Sequence, residues 1–220
     1  MLAAMPALAF LAFVPEAPIV GTAVPAIGVI AALLAASEWV RGRGLQVERR
    51  LEAEWGGSTT TRALRHDGDH PELRSRRRNA ISALADTELP SALEDEHSES
   101  AATYRAAVRA ALSVIRRDAL DSALLASENA SYGFRRNMRG IRSQALVVVL
   151  LCGASHVALT IFTGAVIGAV VIAADAILSA YWIFVVRDAW VREQAEQFAD
   201  TFFNVAMVAT SRRGTPTPES

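Results

Sequence analysis

The sequence contains no lysine and only one cysteine. All 22 basic residues are arginine, which together with the many alanines indicates a GC-rich bacterial genome. The single cysteine, Cys152, excludes a disulfide within the chain and therefore a disulfide-stapled extracellular domain. Charge is scarce in two long segments: residues 17–36 carry none, and residues 144–186 carry one, at Asp175.

Motifs of common enzyme classes are also missing. The sequence has no glycine-rich phosphate loop and no Gly-x-Ser-x-Gly nucleophile elbow. Residues 66–70 hold two histidines and two aspartates, but Gly68 and Pro71 interrupt any helix there. This segment is more typical of a polar turn than of a metal site. We therefore predict no catalytic residue, no metal and no cofactor.

What the sequence does have is apolar residues, which make up 52% of the chain and gather in residues 1–40 and 144–186. Residues 17–36 are long enough for one membrane crossing, since 20 residues at about 1.5 Å each span roughly 30 Å. Residues 2–14 are short, which suggests a truncated or tilted first crossing. Residues 144–186 suit two crossings with a turn near Thr163-Gly164. The predicted fold class is all-α and integral to the membrane, with four transmembrane helices in two hairpins and a cytoplasmic helical insert.

The arginines predict the orientation of these hairpins. Eighteen lie in residues 41–143, four lie at or after position 187, and none lies in the apolar segments. The positive-inside rule then places the insert and both termini in the cytoplasm, with the hairpins in the bacterial inner membrane. The predicted divisions are a hairpin at 1–40, the insert at 41–143, a hairpin at 144–186, an amphipathic helix at 187–211 and a disordered tail at 212–220.

The insert is predicted to be helical throughout. A helix continues from the second crossing to a break at Gly56-Gly57, where Ser58 or a threonine caps the next helix. Residues 72–85 form a basic helix, residues 86–100 an acidic loop, and residues 101–138 a long helix. The insert carries 18 basic and 15 acidic residues, so its near-balanced charge does not favour nucleic acid as a partner.

Two polar side chains stand out inside the second hairpin. His156 and Asp175 lie at matching depth, about 18–20 Å from the cytoplasmic face, on adjacent antiparallel helices. This geometry predicts a direct hydrogen bond, which Ser155, Thr160 and Ser179 would extend. One interpretation is a polar contact that joins two helices. The other is the lining of a water-filled path or a proton-sensitive gate.

The stretch ENASYGFRRNMRGIR, residues 128–142, precedes this hairpin. Its arginines suit an anchor that contacts anionic lipid headgroups. It also has the residues for a pocket that binds an anionic ligand, because arginine forks suit phosphates and an aromatic face suits a base. The residues predicted for either role are Tyr132, Arg135, Arg136 and Arg139. A third interpretation is a helix packed under the membrane, with Tyr132 and Phe134 buried.

The segment after Arg187 has apolar residues at alternating spacings of four and three, a heptad pattern. These residues are Val191, Ala195, Phe198, Phe202, Val205 and Ala209. The pattern predicts a helix that packs either on the insert or on a second copy of the chain.

Three stretches together resemble a known group of proteins: WGGSTTTRALRH at 55–66, ENASYGFRRNMRGIR at 128–142 and WVREQAEQFADTFF at 190–203. They are similar to a group of uncharacterised bacterial, often actinobacterial, integral membrane proteins with two transmembrane helices at each end. The layout is also similar to the four-span, SMODS-associated effectors of phage defence that depends on nucleotide second messengers. This second likeness is architectural and implies no residue roles.

These observations lead to two main functional hypotheses. The first is a non-enzymatic membrane protein that oligomerises and responds to a cytoplasmic protein or a nucleotide-like ligand, as an effector or a pore. The second is a non-conducting anchor or scaffold that recruits a cytoplasmic partner. In both, the chain contacts membrane lipids. A membrane enzyme that uses the His156–Asp175 pair or the His66/His70 turn is a third, less favoured hypothesis, because no nucleophile and no third metal ligand is in place.

Overall fold

The computed structural model describes residues 19–65, 70–92, 94, 100–117, 119–164 and 167–214, and every secondary-structure element in these ranges is helical. The elements, numbered along the chain, are α1 Ile19–Glu54, α2 Thr59–Arg62, α3 Pro71–Ala85, α4 Ser100–Ile115, α5 Ala119–Gly140, α6 Arg142–Thr163, α7 Ile167–Ala180 and α8 Asp188–Gly214. A π-helical turn, Tyr181–Val185, continues α7. The prediction of an all-α protein is therefore confirmed for the described residues.

The described residues contain fewer candidate transmembrane helices than the four that were predicted. Among the described residues, two helices have the length and hydropathy to cross a membrane, Arg142–Thr163 and Ile167–Val185. The predicted crossing at 2–14 lies outside the described residues. The predicted crossing at 17–36 begins outside the described residues; from Ile19 it lies in α1, which continues to Glu54 as predicted and is not among the two. The structure thus supports two candidate crossings in this part of the chain rather than four.

The ends of the helices follow from local backbone chemistry. Gly56 and Gly57 take φ angles of 75° and 133°, a region that favours glycine, and α1 stops just before them. The Ser58 side chain then accepts a hydrogen bond from the backbone N–H of Thr61, which caps α2. Pro71 starts α3, where its missing N–H costs nothing. The predicted break, cap and basic helix are present.

The single long helix predicted for residues 101–138 is divided in two. The chain turns at Arg116-Arg117, so that α4 ends at Ile115 and α5 begins at Ala119. The division has a packing reason: α4 packs mainly on α3, whereas α5 packs on α1 and α8. One straight helix could not reach both sets of neighbours.

The main hydrophobic core lies among α3, α4 and α8, and we call these helices with α2 and α5 the helical unit. Tyr104, Phe202 and Phe203 are fully buried in it. The guanidinium of Arg77, which is also buried, lies 4.9 Å from the Phe203 ring centroid and donates to Asp200 at 2.7 Å. A buried arginine is tolerated here because the carboxylate pairs with it.

The C-terminal helix α8 packs on the rest of the same chain. Val191, Ala195, Phe202 and Val205 are buried, and Phe198 and Ala209 are partly buried. This face was predicted to pack either on the insert or on a second copy of the chain, and in the structure it packs on the insert. The helix runs three residues past the predicted end at 211, to Gly214.

Helices α1 and α5 cross with their backbones in close contact. A Cβ atom added at Gly140 would lie 2.7 Å from the backbone of Arg43 and Gly44. A Cβ atom added at Gly44 would lie 3.0 Å from the Asn137 Cα atom. Both distances are too short for a side chain, so glycine at these two positions determines how near the helices come.

The second hairpin, α6 and α7, is joined by a tight turn at Gly164, whose φ of 63° caps α6. We call these two helices the apolar hairpin. Thr160 of α6 fills the space at Gly168 of α7, where a Cβ atom would come 2.1 Å from its hydroxyl. The predicted turn is present, and Gly168 allows a close contact between the two helices.

Replacement of Gly140 tests the crossing of α1 and α5. Gly140→Ala is expected to destabilise the protein by about 1–3 kcal/mol, because the methyl group overlaps the backbone of α1. Gly133→Ala is the matched control, since Gly133 lies in the same helix with nothing within 4 Å of an added Cβ. Urea unfolding of both detergent-solubilised variants, followed by circular dichroism, compares them. Equal stability of the two variants would contradict the close crossing.

Candidate functional site

The predicted polar pair of the apolar hairpin is in contact. The Nδ1 atom of His156 lies 2.7 Å from Oδ2 of Asp175, at hydrogen-bonding distance. Gly153 faces Asp175, and a Cβ atom there would lie 3.7 Å from Asp175 Cβ. This is an ordinary van der Waals distance, so α6 and α7 are in contact beside the pair. An ionised Asp175 accepts from Nδ1–H, which leaves Nε2 of the imidazole for a second partner.

Two of the polar residues that were predicted to extend the pair, Ser155 and Thr160, bond to the backbone of their own helix instead. The Thr160 hydroxyl donates to the His156 carbonyl at 2.7 Å, and the Ser155 hydroxyl donates to the Leu151 carbonyl at 2.9 Å. Both bonds stay within α6 and do not reach the pair's side chains. His156 retains 40% of its side-chain exposure, against 19% for Asp175. The imidazole therefore presents an edge to the outside of the hairpin.

The arginines of the stretch 128–142 are engaged by groups of the same chain. Arg136 donates to Glu48 at 2.6 Å, and Arg135 donates to the Trp190 carbonyl at 3.0 Å. Arg139 donates to Asp188 at 3.0 Å. The three guanidinium groups thus connect α5 to α1 and α8. This arrangement favours the interpretation of a packed helix over an open anion pocket, although Phe134 remains 56% exposed rather than buried.

Asp188, the first residue of α8, connects three helices. It accepts from Arg139 of α5 and also from Arg50 of α1, at 2.6 Å. Arg142, one turn further along the chain than Arg139, donates to the carbonyls of Trp182 and Ile183 in the π-helical turn. A π-helical turn leaves carbonyls without their usual partners. Arg142 thus joins the start of α6 to the π-helical turn, and the turn contacts the helical unit through Trp190 of α8, whose ring centroid lies 6.4 Å from that of Tyr181.

A cavity of about 480 Å³ opens between the end of α1, α4, α5 and α8. This volume is typical of a small-molecule site. Of the predicted ligand residues, Tyr132 lines it, together with Asn129 of the same stretch. Arg135, Arg136 and Arg139 do not line it, because they face the carboxylates and carbonyls already described. The charged side chains in the wall are Glu48, Glu52 and Arg116.

The electrostatic environment of the cavity is acidic. Burial, with the charge of nearby Glu48, raises the pKa of the Glu52 carboxyl, while Arg105 of α4 and Arg136 of α5 act against this. Burial, followed by the charge of Glu48 and a hydrogen bond to it, raises the pKa of the Tyr132 phenol well above its ordinary value. The phenol is therefore a neutral hydrogen-bond donor. The ionised form of Glu52 is therefore destabilised in this wall, and a cation bound beside it would stabilise that form.

The acidic residues of this cavity were not predicted from the sequence. Glu48, Glu52 and Trp55 lie in LQVERRLEAEW with spacings of four and three, so they share one face of α1. That spacing was a usable signal for two carboxylates beside an aromatic ring. The residues 66–69, which hold one histidine of the predicted polar turn, lie outside the described residues.

Comparisons with known proteins do not assign this chain to a group. No family model, no curated protein and no solved structure matches it. The resemblances based on the three sequence stretches therefore stay predictions.

Glu52→Gln tests the electrostatics of the cavity wall. Because the carboxyl pKa is raised in the fold, the stability that Glu52 provides is present when it is protonated and is lost as pH rises through the raised pKa. The amide cannot ionise, so the variant is expected to melt at a higher temperature than the wild type at neutral pH. The difference is expected to shrink as pH is lowered and the wild-type carboxyl takes up its proton.

The control for this measurement is Glu88→Gln, an exposed carboxylate in the loop after α3. Its melting temperature is expected to follow the wild type at each pH. A Glu52→Gln variant that is less stable than the wild type at neutral pH would show that the carboxylate is satisfied in the wall, contrary to this account.

Proposed function

We propose that the chain is a multi-pass protein of a bacterial inner membrane, which assembles as a homo-oligomer and responds through its membrane helices to a ligand bound by the helical unit. The proposed topology has four crossings and both termini in the cytoplasm. The observation that carries the proposal is the His156–Asp175 contact, at 2.7 Å, inside a hairpin that is otherwise apolar. Ionisable groups at this depth are costly and typically serve a membrane function.

The exposure of the apolar hairpin supports insertion in a membrane. A core helix of a water-soluble protein buries its apolar side chains, but here large apolar side chains of both helices point outward. These include Val147, Leu150, Leu159, Ile161, Phe162, Ile167, Val170 and Ile177, each more than half exposed. An apolar surface of this extent needs lipid or another protein to cover it. Exposed Ile30 and Leu34 on α1 favour a second membrane contact there.

The half-exposed imidazole supports assembly. If the hairpin stood alone in lipid, the free edge of His156 would face hydrocarbon without a hydrogen-bond partner. A neighbouring copy of the chain, or water enclosed by several copies, would satisfy it. A physical link between the helical unit and the hairpin is the contact of Trp190 in α8 with Tyr181 in the π-helical turn, whose ring centroids lie 6.4 Å apart.

The first experiment measures membrane potential in living bacteria with a potential-sensitive dye during induced expression. Wild type is expected to depolarise the membrane when its trigger is present, and Asp175→Asn is expected to reduce this effect because it removes the charge of the pair. Ser155→Ala is the control, since that hydroxyl contacts only the backbone of its own helix. Depolarisation that Asp175→Asn leaves unchanged would contradict a conducting role for the pair.

The second experiment determines the number of copies in the assembly. In mild detergent, light scattering coupled to chromatography is expected to give a protein mass of at least two chains. His156→Leu is expected to shift the population toward fewer copies if the imidazole contacts a neighbour. A wild-type protein that stays monomeric at high concentration would contradict the assembly.

The second candidate function is a non-conducting membrane anchor that recruits a cytoplasmic partner. The observation in its favour is that the His156–Asp175 contact also joins the two helices, a role that polar side chains have in many membrane proteins. Under this hypothesis the double variant His156→Leu, Asp175→Leu keeps the function of the protein. Under the leading proposal the same variant loses the membrane response while the helical unit stays folded.

A further inference from the structure

The cavity between α1, α4, α5 and α8 combines the Glu52 carboxylate with several aromatic rings. Among the residues that the structure describes, the Glu52 side chain has no hydrogen bond and no ion pair. The second carboxylate in the wall, Glu48, is already held by Arg136 at 2.6 Å. Glu52 is therefore the acidic group that is available to a ligand.

The aromatic rings of the wall come from three helices or their ends. Trp55 follows α1, Tyr132 belongs to α5, and Phe198 belongs to α8. Within the chain, guanidinium groups already lie near two of these rings: Arg192 at 5.9 Å from the Trp55 centroid and Arg136 at 5.8 Å from the Tyr132 centroid. Rings of this kind attract cations through their π-electron faces. The same wall can hold the apolar body of a ligand.

The balance of charge disfavours a polyanion. Arg116 supplies the one guanidinium in the wall, against the two carboxylates of Glu48 and Glu52. A ligand with several phosphates would have to approach both carboxylates and would find one arginine to pair with. The predicted nucleotide-like ligand is therefore a poor match for this cavity.

We propose that this cavity binds a small protonated organic amine with an aromatic or apolar body, whose ammonium group pairs with Glu52. Tyr132, whose hydroxyl is hydrogen-bonded to Glu48, and Asn129 line the same wall. The proposal rests on the ligand-responsive function proposed above and names the chemical class of its ligand. The cavity volume of about 480 Å³ accommodates a molecule with a bicyclic ring system.

Three indole compounds of similar size and different charge test the proposal. They are tryptamine, a cation near neutral pH; tryptophol, which is neutral; and indole-3-acetate, an anion. Isothermal titration calorimetry with the full chain in detergent gives the Kd of each. Tryptamine is expected to bind at least about tenfold more tightly than the other two, because an ion pair to a partly buried carboxylate adds a charge-assisted hydrogen bond.

The matched variants locate the site. Glu52→Gln is expected to reduce tryptamine affinity about tenfold, to the level of tryptophol, and to leave tryptophol binding unchanged. Glu88→Gln is expected to bind all three compounds as wild type does. Binding of tryptamine is also expected to weaken as pH falls through the raised pKa of Glu52, since the protonated carboxyl cannot pair with an ammonium group.

Three results would overturn the proposal: tighter binding of indole-3-acetate than of tryptamine, equal binding of all three compounds, or no binding of tryptamine. If indole-3-acetate binds more tightly, Arg116→Gln tests whether the cavity is an anion site. In that case the substitution weakens the binding of indole-3-acetate and leaves the binding of tryptamine unchanged. The binding assay is independent of the membrane response. Tryptamine binding without any change in membrane potential would leave the amine site intact and contradict the proposed function. Depolarisation without amine binding would contradict the proposed class of ligand and would leave the proposed membrane response standing.

Discussion

The close crossing of α1 and α5 determines the position of most other features. At Gly44 and Gly140 the two backbones come so near that no side chain fits between them. This approach brings Arg136 of α5 to Glu48 of α1, and it brings Arg50 and Arg139 together on Asp188. One end of the cavity wall and the attachment of α8 thus depend on two positions without side chains. A wider crossing would separate these charges, and each would lose its partner in a partly desolvated place.

The arginines show how one residue type serves two physical purposes. In sequence, their distribution indicates which segments stay out of the membrane. In the fold, Arg136, Arg139 and Arg142 use their planar guanidinium groups to join helices through carboxylates and carbonyls. The helical unit and the π-helical turn that continues α7 meet instead through aromatic rings, since Trp190 of α8 lies 6.4 Å from Tyr181 between ring centroids. Glu52, whose carboxyl pKa is raised by burial, and the half-exposed His156 are central to the proposals.

Different parts of the site were predictable to different degrees. The His156–Asp175 contact followed from counting residues from each end of an apolar hairpin, because a helix rises by a constant amount per residue. Tyr132 was identified by its place in an arginine-rich stretch, but its neighbours across the cavity were not. Glu48, Glu52 and Trp55 share a face of α1, and that periodicity does not reveal which other helix the face meets. The direction of the arginine side chains was likewise decided by partners far away in sequence, such as Asp188 and Trp190.

The amino-acid sequence by itself determined the all-helical class, the helix breaks at Gly56-Gly57 and Gly164, and the apolar character of the hairpin. These depend on local backbone preferences and on periodicity, which are properties of a few consecutive residues. Only the tertiary structure decided that α8 packs on its own chain, that residues 101–138 form two helices, and that the cavity is acidic. Each of these depends on which distant side chains meet, and therefore on helix crossing angles that glycine contacts and long-range ion pairs select.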